Sequence, residues 1–151
     1  MASSSISHRV PVPAVSKAQA GVSGLAAFLG RLFFAAIFVI SAPNDFSHPV
    51  IQYAASQGVP FASVLVPLAG IIALVGGLSV LLGYRAKVGA WLLILFLVAV
   101  TPTMHKFWGI SDPMLAQNQM VHFMKNLSML GAALFFTQVG AGPWSLDAKR
   151  G

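Results

Sequence analysis

The chain has 151 residues, of which 57% are hydrophobic and only 8% are charged. Soluble domains carry about 25% charged residues, so this composition excludes a water-soluble domain and predicts a single small unit embedded in a membrane. The net charge of +6 does not indicate nucleic-acid binding, because the Lys and Arg residues are spread between apolar runs and form no basic face. The chain has no Cys, which excludes disulfides, thiol redox chemistry and thiolate metal sites.

The first 24 residues are polar and rich in Ser, with Pro11 and Pro13 and no long apolar core. They are therefore not typical of a secretory signal peptide. We interpret residues 1–24 as a disordered cytoplasmic N-terminal tail. The basic, acid-free and Ser-rich character of this stretch is also that of a transit peptide, which is the less favoured alternative.

Four apolar runs follow, at residues 25–42, 61–83, 86–104 and 121–139. Each is close to the roughly 20 residues that a bilayer core of about 30 Å requires. An open segment that crosses lipid must be helical, because its backbone finds no other hydrogen-bond partner there. The predicted fold class is therefore all-α, an integral membrane bundle of four transmembrane helices. Ala69, Ala73 and Gly77 form a stripe of small residues that lets helix backbones approach closely.

Basic residues beside the runs predict the orientation of the chain. With the N-terminus inside, the cytoplasmic side holds Arg9, Lys17, Arg31, Arg85, Lys87, Lys149 and Arg150. The opposite side holds only Lys106 and Lys125. This bias predicts that both termini are cytoplasmic, with residues 148–151 as a short C-terminal tail. The longer connections at 43–60 and 105–120 then lie on the outer side.

Polar residues gather at the outer ends of the runs. His105 closes the third run, Lys125 and Asn126 open the fourth together with His122, and Asp45 follows the first. Titratable groups at this depth are costly and are therefore candidates for function. His105, Lys125, Asn126 and Asp45 are candidates for a ligand or proton-relay site, although a structural role is the favoured interpretation. In the structural alternative, His105 marks a helix end, Lys125 reaches the headgroups on its long stem and Asn126 bonds between helices.

A quinone would fit this site chemically. Its carbonyl groups need hydrogen-bond donors and its reduction needs a proton path, and imidazole relays protons near neutral pH. An ammonium group would stabilise the anionic reduced form. The apolar walls would come from Phe96, Phe107, Trp108 and Phe123. Quinone is thus a candidate ligand, and we expect no intrinsic cofactor.

Arg31 lies about 9 Å into the first run, at about 1.5 Å per residue. We predict a structural role for this intramembrane charge, through helix carbonyls, Asp147 or lipid headgroups. We predict no metal site, because His105 and His122 have no third ligand at a suitable spacing. The sequence has no phosphate-binding loop, nucleophile elbow or paired carboxylates, and its halves show no inverted repeat of the kind found in transporters.

Several short motifs occur in a fixed order along the chain. They are Arg31–Phe34, Gly76-Gly77, Leu82–Arg85, His105 with Phe107-Trp108, Lys125–Leu127 and Gly140–Asp147. Together they resemble the DoxX family over residues 25–147. The resemblance implies a four-helix inner-membrane protein. The family name comes from subunits associated with a quinol oxidase and with thiosulfate oxidation by quinone, and other members resemble parts of membrane oxidoreductase complexes that handle oxidative stress.

Two positions depart from the family pattern. The family often has an acidic residue three positions before the double Gly, where this chain has Ala73, and its first run often ends in Ser-Gly with a nearby Lys, where this chain reads Ser41–Asp45. The resemblance predicts a multi-pass inner (plasma) membrane protein that contacts quinone or docks a membrane or soluble oxidoreductase subunit. As an enzyme, it would be a quinone-linked oxidoreductase subunit. The alternative is a non-catalytic membrane scaffold or assembly factor.

Overall fold

The computed structural model describes residues 17–150, and these residues form helices and no β-strand. The helices are α1 (Lys17–Ser41), α2 (His48–Ser56), α3 (Ala62–Leu82), α4 (Ala86–Met104) and α5 (Pro113–Val139). Two short 3₁₀ turns occupy Ala42–Phe46 and Asp147–Lys149. The predicted all-α class is confirmed.

Three helices are long and apolar enough to cross a membrane. The segments are Gly21–Phe46, which contains most of α1, together with α3 and α4. They coincide with the first three predicted apolar runs. Many of their large side chains point outward, and Phe33 and Leu95 are 72% and 58% exposed. Such exposure is expected where lipid tails, which are as apolar as Leu, replace water as the solvent.

α5 differs from these three helices in composition. It has 27 residues and contains the predicted fourth run, but Gln119, His122 and Lys125 dilute its apolar character, and it is not one of the three apolar spans. It begins earlier than predicted because Asp112 caps it. The Asp112 carboxylate accepts the backbone N–H groups of the second and third helical residues at 2.8 and 2.9 Å, and Pro113 occupies the first helical position, where no N–H is needed.

Other element boundaries also differ from the sequence prediction. α1 begins at Lys17, so residues 17–24 extend the first helix and do not belong to the predicted tail. Residues 1–16 of that tail lie outside the described residues. The predicted outer connection at 43–60 contains α2, which at nine residues is too short to be recognised from sequence.

α3 packs against both α1 and α4, and α4 also packs against α5. Gly76 and Gly77 allow α3 to approach α4 and α1 closely. A Cβ atom at Gly76 would lie 3.0 Å from the carbonyl oxygen of Gly89 on α4, and one at Gly77 would lie 3.1 Å from the Cβ of Phe38 on α1. The adjacent glycines therefore let two neighbouring helices approach α3 from different sides, as small residues do in lipid.

The core lies around large side chains from α1, α3 and α4. Phe38, Val80, Leu93 and Leu97 are each at most 2% exposed. Phe34 on α1 contacts Phe136 on α5, with ring centroids 5.1 Å apart. α5 therefore packs on α4 and touches α1 through this pair of rings.

After α5 the chain folds back along the turn between α3 and α4. We call this segment, Gly140–Lys149, the C-terminal clasp. The backbone N–H groups of Leu146 and Asp147 donate to carbonyl groups at the end of α3, at 3.2 and 2.7 Å. The Asp147 carboxylate accepts the N–H groups of Arg85 and Ala86 at 2.8 and 3.0 Å. These N–H groups have no partner inside α4, so a carboxylate from the far end of the chain caps that helix.

Candidate functional site

His105 ends α4, at the end of the molecule where α2 lies. Its backbone N–H donates to the carbonyl of Thr101 at 3.1 Å, which closes the last turn of the helix. Its half-buried imidazole stacks on His122 of α5, with ring centroids 5.2 Å apart and 24° between the ring planes. The structure thus brings together two histidines that are 17 positions apart in the chain.

Two further side chains of α5 complete what we call the histidine cluster: His105, Gln119, His122 and Lys125. His105 Nδ1 lies 3.0 Å from Gln119 Oε1, and Lys125 Nζ lies 3.3 Å from His122 Nδ1. The three α5 residues recur every third position, so they lie along one side of that helix. This side faces the end of α4.

The hydrogen bonds assign different roles to the two imidazole rings. His105 Nδ1 donates to an amide oxygen, so the Nε2 of the neutral ring is an acceptor. His122 Nδ1 accepts from the Lys125 ammonium, so the neutral ring carries its proton on Nε2 and can donate it. The cluster therefore combines a proton acceptor, a proton donor and a cation. In the described part of the chain, no group of three or more metal-ligating side chains could hold an ion.

Three aromatic residues lie close to members of the histidine cluster in the chain and pack on one another. Phe107, Trp108 and Phe123 pack edge to face, with centroid distances of 5.3, 5.5 and 6.0 Å. Phe107 is two residues from His105 in the chain, and Phe123 follows His122. Phe96, which we expected to form part of the same wall, instead packs edge to face on Phe38 in the core, at 6.1 Å.

Asn126 is buried, with 6% of its surface exposed, whereas the neighbouring Lys125 is exposed. Two residues near the cluster were absent from the predicted site. Gln119 Nε2 donates to the Tyr53 hydroxyl at 3.5 Å, which links α5 to α2. The signal for Gln119 was its position three residues before His122. Tyr53 carried no such signal, because it is brought there by α2, which the sequence did not reveal.

Asp45 does not join the histidine cluster. It lies in the 3₁₀ turn after α1 and packs on Gly70, where an added Cβ would be 2.8 Å from the Asp45 Cβ. Asp45 lines a separate cavity of about 470 Å³, and His105, Lys125 and Asn126 do not line it. The sequence gives the depth of a residue along its helix, but it does not give the order of the helices around the molecule. Residues at equal depth were therefore grouped although they face different spaces.

Arg31 is almost completely buried, at 1% exposed. Its guanidinium donates to the carbonyl oxygens of Ala141, Pro143 and Trp144, the last two at 3.1 and 2.6 Å. These carbonyls belong to the C-terminal clasp and not to a helix, and Asp147 caps α4 instead of pairing with Arg31. The Nε of Arg31 is buried without a partner among the described residues. Arg31 therefore joins α1 to the end of the chain.

Three apolar helices, a buried arginine and polar groups gathered at one end define an integral membrane protein that crosses the bilayer several times. Comparison with family models identifies the family. The DoxX model matches residues 26–106, more than half of the chain, and the chain belongs to the DoxX family. The matched residues run from α1 to just beyond His105. The motifs Lys125–Leu127 and Gly140–Asp147 lie outside them.

One curated relative is the inner membrane protein YphA of Escherichia coli (strain K12). It is 28% identical to this chain over 99 residues, which cover 66% of this chain and 70% of YphA. Together with the three apolar helices, this similarity confirms the predicted location, a multi-pass protein of the inner (plasma) membrane. No solved structure matches the chain.

Proposed function

We propose that the protein is a subunit of a membrane redox system and that it binds the ring of a quinone at the histidine cluster. The observation that carries the proposal is the stacking of His105 on His122 with different partners at the two Nδ1 atoms. This arrangement supplies both hydrogen-bonding roles that the quinone and quinol forms require.

The proposed chemistry concerns protons. Reduction of a quinone to a quinol adds two electrons and two protons, and oxidation removes them. The chain has no thiol, so the electrons would be carried by an oxidoreductase partner. His122 Nε2–H would donate to a quinone carbonyl, and His105 Nε2 would accept from a quinol hydroxyl. The Lys125 ammonium would stabilise the anionic reduced form. Phe107, Trp108 and Phe123 would provide the apolar wall for the ring.

Binding of a short-tailed quinone tests this proposal. In lipid nanodiscs, a quinone beside Trp108 should quench tryptophan fluorescence, and Trp108→Phe should remove most of that quenching. We expect His105→Ala and Lys125→Ala to weaken binding at least about tenfold, the effect of one lost hydrogen bond to a charged or polarised group. His48→Ala is the matched control, because His48 is an exposed histidine at the start of α2, outside the cluster.

The helical content and thermal unfolding of each variant show whether it is still folded. Unchanged quinone affinity in both folded cluster variants would contradict the proposed site. Mass spectrometry of lipids extracted from the protein, gently purified from its native membrane, gives an independent measurement. A near-stoichiometric quinone supports the proposal.

A non-catalytic scaffold or assembly factor is the second candidate. It is favoured by one observation: Gln119 bonds both His105 and Tyr53, so the polar groups of the cluster also tie together α2, α4 and α5. Under this alternative, pull-downs in mild detergent should recover a stoichiometric partner protein and no quinone. Turnover of quinol by the purified chain alone would contradict it.

We further propose that α5 is a fourth span and that both ends of the chain are cytoplasmic. At about 1.5 Å per residue, the 27 residues of α5 extend about 40 Å, more than the bilayer core requires. α5 also contacts α1 through Phe34 and Phe136, as a helix inside the bilayer would. The basic residues at the α3–α4 turn and in the C-terminal clasp support the orientation.

A further inference from the structure

The cavity that contains Asp45 lies between α3 and α4, under the connection from α2 to α3. Its volume is about 470 Å³. Most of its wall is apolar and comes from Leu65, Leu68, Ile72, Leu95, Phe96 and Val100. Leu65, Leu68 and Leu95 are 41%, 47% and 58% exposed on the outer surface of their helices. The cavity can therefore be entered from the lipid.

Asp45 is the one charged side chain in this wall. Gly70 makes room for it, because an added Cβ at that position would lie 3.2 Å from Asp45 Oδ2. Among the described residues, no cation or hydrogen-bond donor pairs with the Asp45 carboxylate. An ionised, half-buried carboxylate beside apolar walls is unfavourable unless a cation or a donor satisfies it, and otherwise the group takes up a proton.

We propose that this cavity binds an amphipathic amine, a molecule with an apolar body and one ammonium group, and that the ammonium pairs with Asp45. A neutral lipid chain would fill the apolar space but would leave the carboxylate without a partner. An anion would be repelled. An ammonium satisfies the charge, and Gln57, which lines the same cavity, offers a side-chain carbonyl as a further acceptor for its N–H donors.

The size of the cavity sets the size of the ligand. At about 30 Å³ for each water-sized unit, about 470 Å³ holds roughly 15 non-hydrogen atoms. This corresponds to an alkyl chain of about twelve carbons with its ammonium group. The same chemistry has two sources in a membrane, a free lipophilic amine and the ethanolamine headgroup of a phospholipid.

Photolabelling of the full chain in vesicles of phosphatidylcholine and phosphatidylglycerol tests the site. The probe is dodecylamine with a diazirine in its chain, and the matched neutral probe is the corresponding dodecanol. We expect the amine to label residues of the cavity wall, which peptide mass spectrometry locates. Asp45→Asn should reduce this labelling at least about tenfold, whereas Asp112→Asn, the same change at the exposed acid that caps α5, should leave it unchanged.

Ala99→Phe provides a second test that keeps the carboxylate. Ala99 lines the cavity and is exposed, so a larger side chain there should fill the mouth of the cavity without disturbing the core. Labelling should fall in this variant as well. Equal labelling by the amine and the alcohol, or undiminished labelling of folded Asp45→Asn, would overturn the proposal.

The source of the amine is decided by replacing phosphatidylcholine with phosphatidylethanolamine. Reduced labelling identifies the phospholipid headgroup as the occupant, and unchanged labelling identifies a free amine. The histidine cluster does not line this cavity, so the amine probe should label the His105→Ala variant as strongly as the unchanged protein. Failure of the quinone proposal and failure of the amine proposal are therefore distinguishable.

Discussion

Arg31 shows how a single charged side chain is accommodated inside an apolar helix. Its guanidinium donates to three backbone carbonyls of the C-terminal clasp. Gly24, two turns earlier on α1, receives the indole of Trp144, since an added Cβ there would lie 2.5 Å from the indole Nε1. α1 therefore holds the clasp in two ways: the planar guanidinium of Arg31 donates to its carbonyls, and Gly24 leaves space for the indole of Trp144.

Replacement of Arg31 should release the clasp. Arg31→Met removes the donors to three carbonyls, and we expect a loss of about 2–4 kcal/mol in the free energy of unfolding, at about 1 kcal/mol for each bond. Arg31→Lys should restore only part of this stability, because an ammonium cannot reproduce the planar fork. Arg85→Met, at an exposed arginine near the same end, is the matched control.

Unfolding in detergent measures the loss of stability, and protease cleavage within residues 140–149 measures the release of the clasp. A variant Arg31→Met that is as stable as Arg85→Met and equally resistant to cleavage would show that the buried guanidinium does not hold the clasp.

The contact between α3 and α4 depends on a pair of glycines. Gly76 and Gly89 face each other, because a Cβ at either residue would lie about 3 Å from the carbonyl oxygen of the other, at 3.0 and 2.9 Å. A Cβ at Gly89 would also lie 2.5 Å from the Ser79 hydroxyl oxygen. That hydroxyl donates to the Tyr84 carbonyl in the α3–α4 turn, so it has little freedom to move.

Gly89→Ala should therefore separate the two helices. We expect a destabilisation of about 1–3 kcal/mol, the usual effect of inserting a methyl group into close packing. Gly131→Ala is the matched control, since Gly131 lies within α5 and an added Cβ would meet no atom within 4 Å. It should be neutral or stabilising by up to about 1 kcal/mol through helix propensity. Equal thermal stabilities of the two variants would exclude the proposed close contact.

Among the helices, those defined by a long apolar run were predicted correctly from the sequence. The runs at 61–83 and 86–104 correspond to α3 and α4 almost residue for residue. The sequence did not predict α2, since a segment of only nine residues depends on packing, here on α3, to be helical. The start of α5 was also missed, because the prediction followed the apolar run, which begins only at residue 121. Asp112-Pro113 is nevertheless a recognisable helix start.

The candidate site was predictable only in part. His105 and Lys125 meet through His122, as their depth along α4 and α5 suggested. Asp45 was placed with them on the same reasoning, yet it faces a different cavity. The neighbours of a helix are decided by packing between small residues such as Gly76 and Gly77 and cannot be read from the depth of a side chain.

The whole molecule has two chemically different ends. One end carries the α3–α4 turn, the clasp and the basic residues Arg85, Lys87, Lys149 and Arg150. The other end carries α2, the histidine cluster and the cavity that contains Asp45. Arg150 stacks over the Tyr84 ring at 4.5 Å, and its hydrogen bond and charge lower the pKa of the Tyr84 phenol. The basic end is the one that the positive-inside rule assigns to the cytoplasm.

The absence of Cys makes this assignment simple to test, because a single introduced thiol is the only one in the chain. Ser111→Cys lies in the exposed connection before α5, and Ala148→Cys lies at the exposed end of the clasp. In intact cells, a membrane-impermeant maleimide should label the Ser111 position and not the Ala148 position. In inverted vesicles the pattern should reverse. Labelling of both positions from the same side would exclude α5 as a fourth span.

The bonds between Arg31 and the clasp connect residues that are separated by 110, 112 and 113 positions. At about 5–20 residues per second, Arg31 is synthesised roughly 5–20 s before the Ala141 carbonyl exists. Throughout that interval the guanidinium must be hydrated or held by the insertion machinery. A nascent chain interrupted between these two points therefore contains a first helix whose arginine lacks its final partners, a chemical mark that distinguishes an unfinished molecule from a completed one.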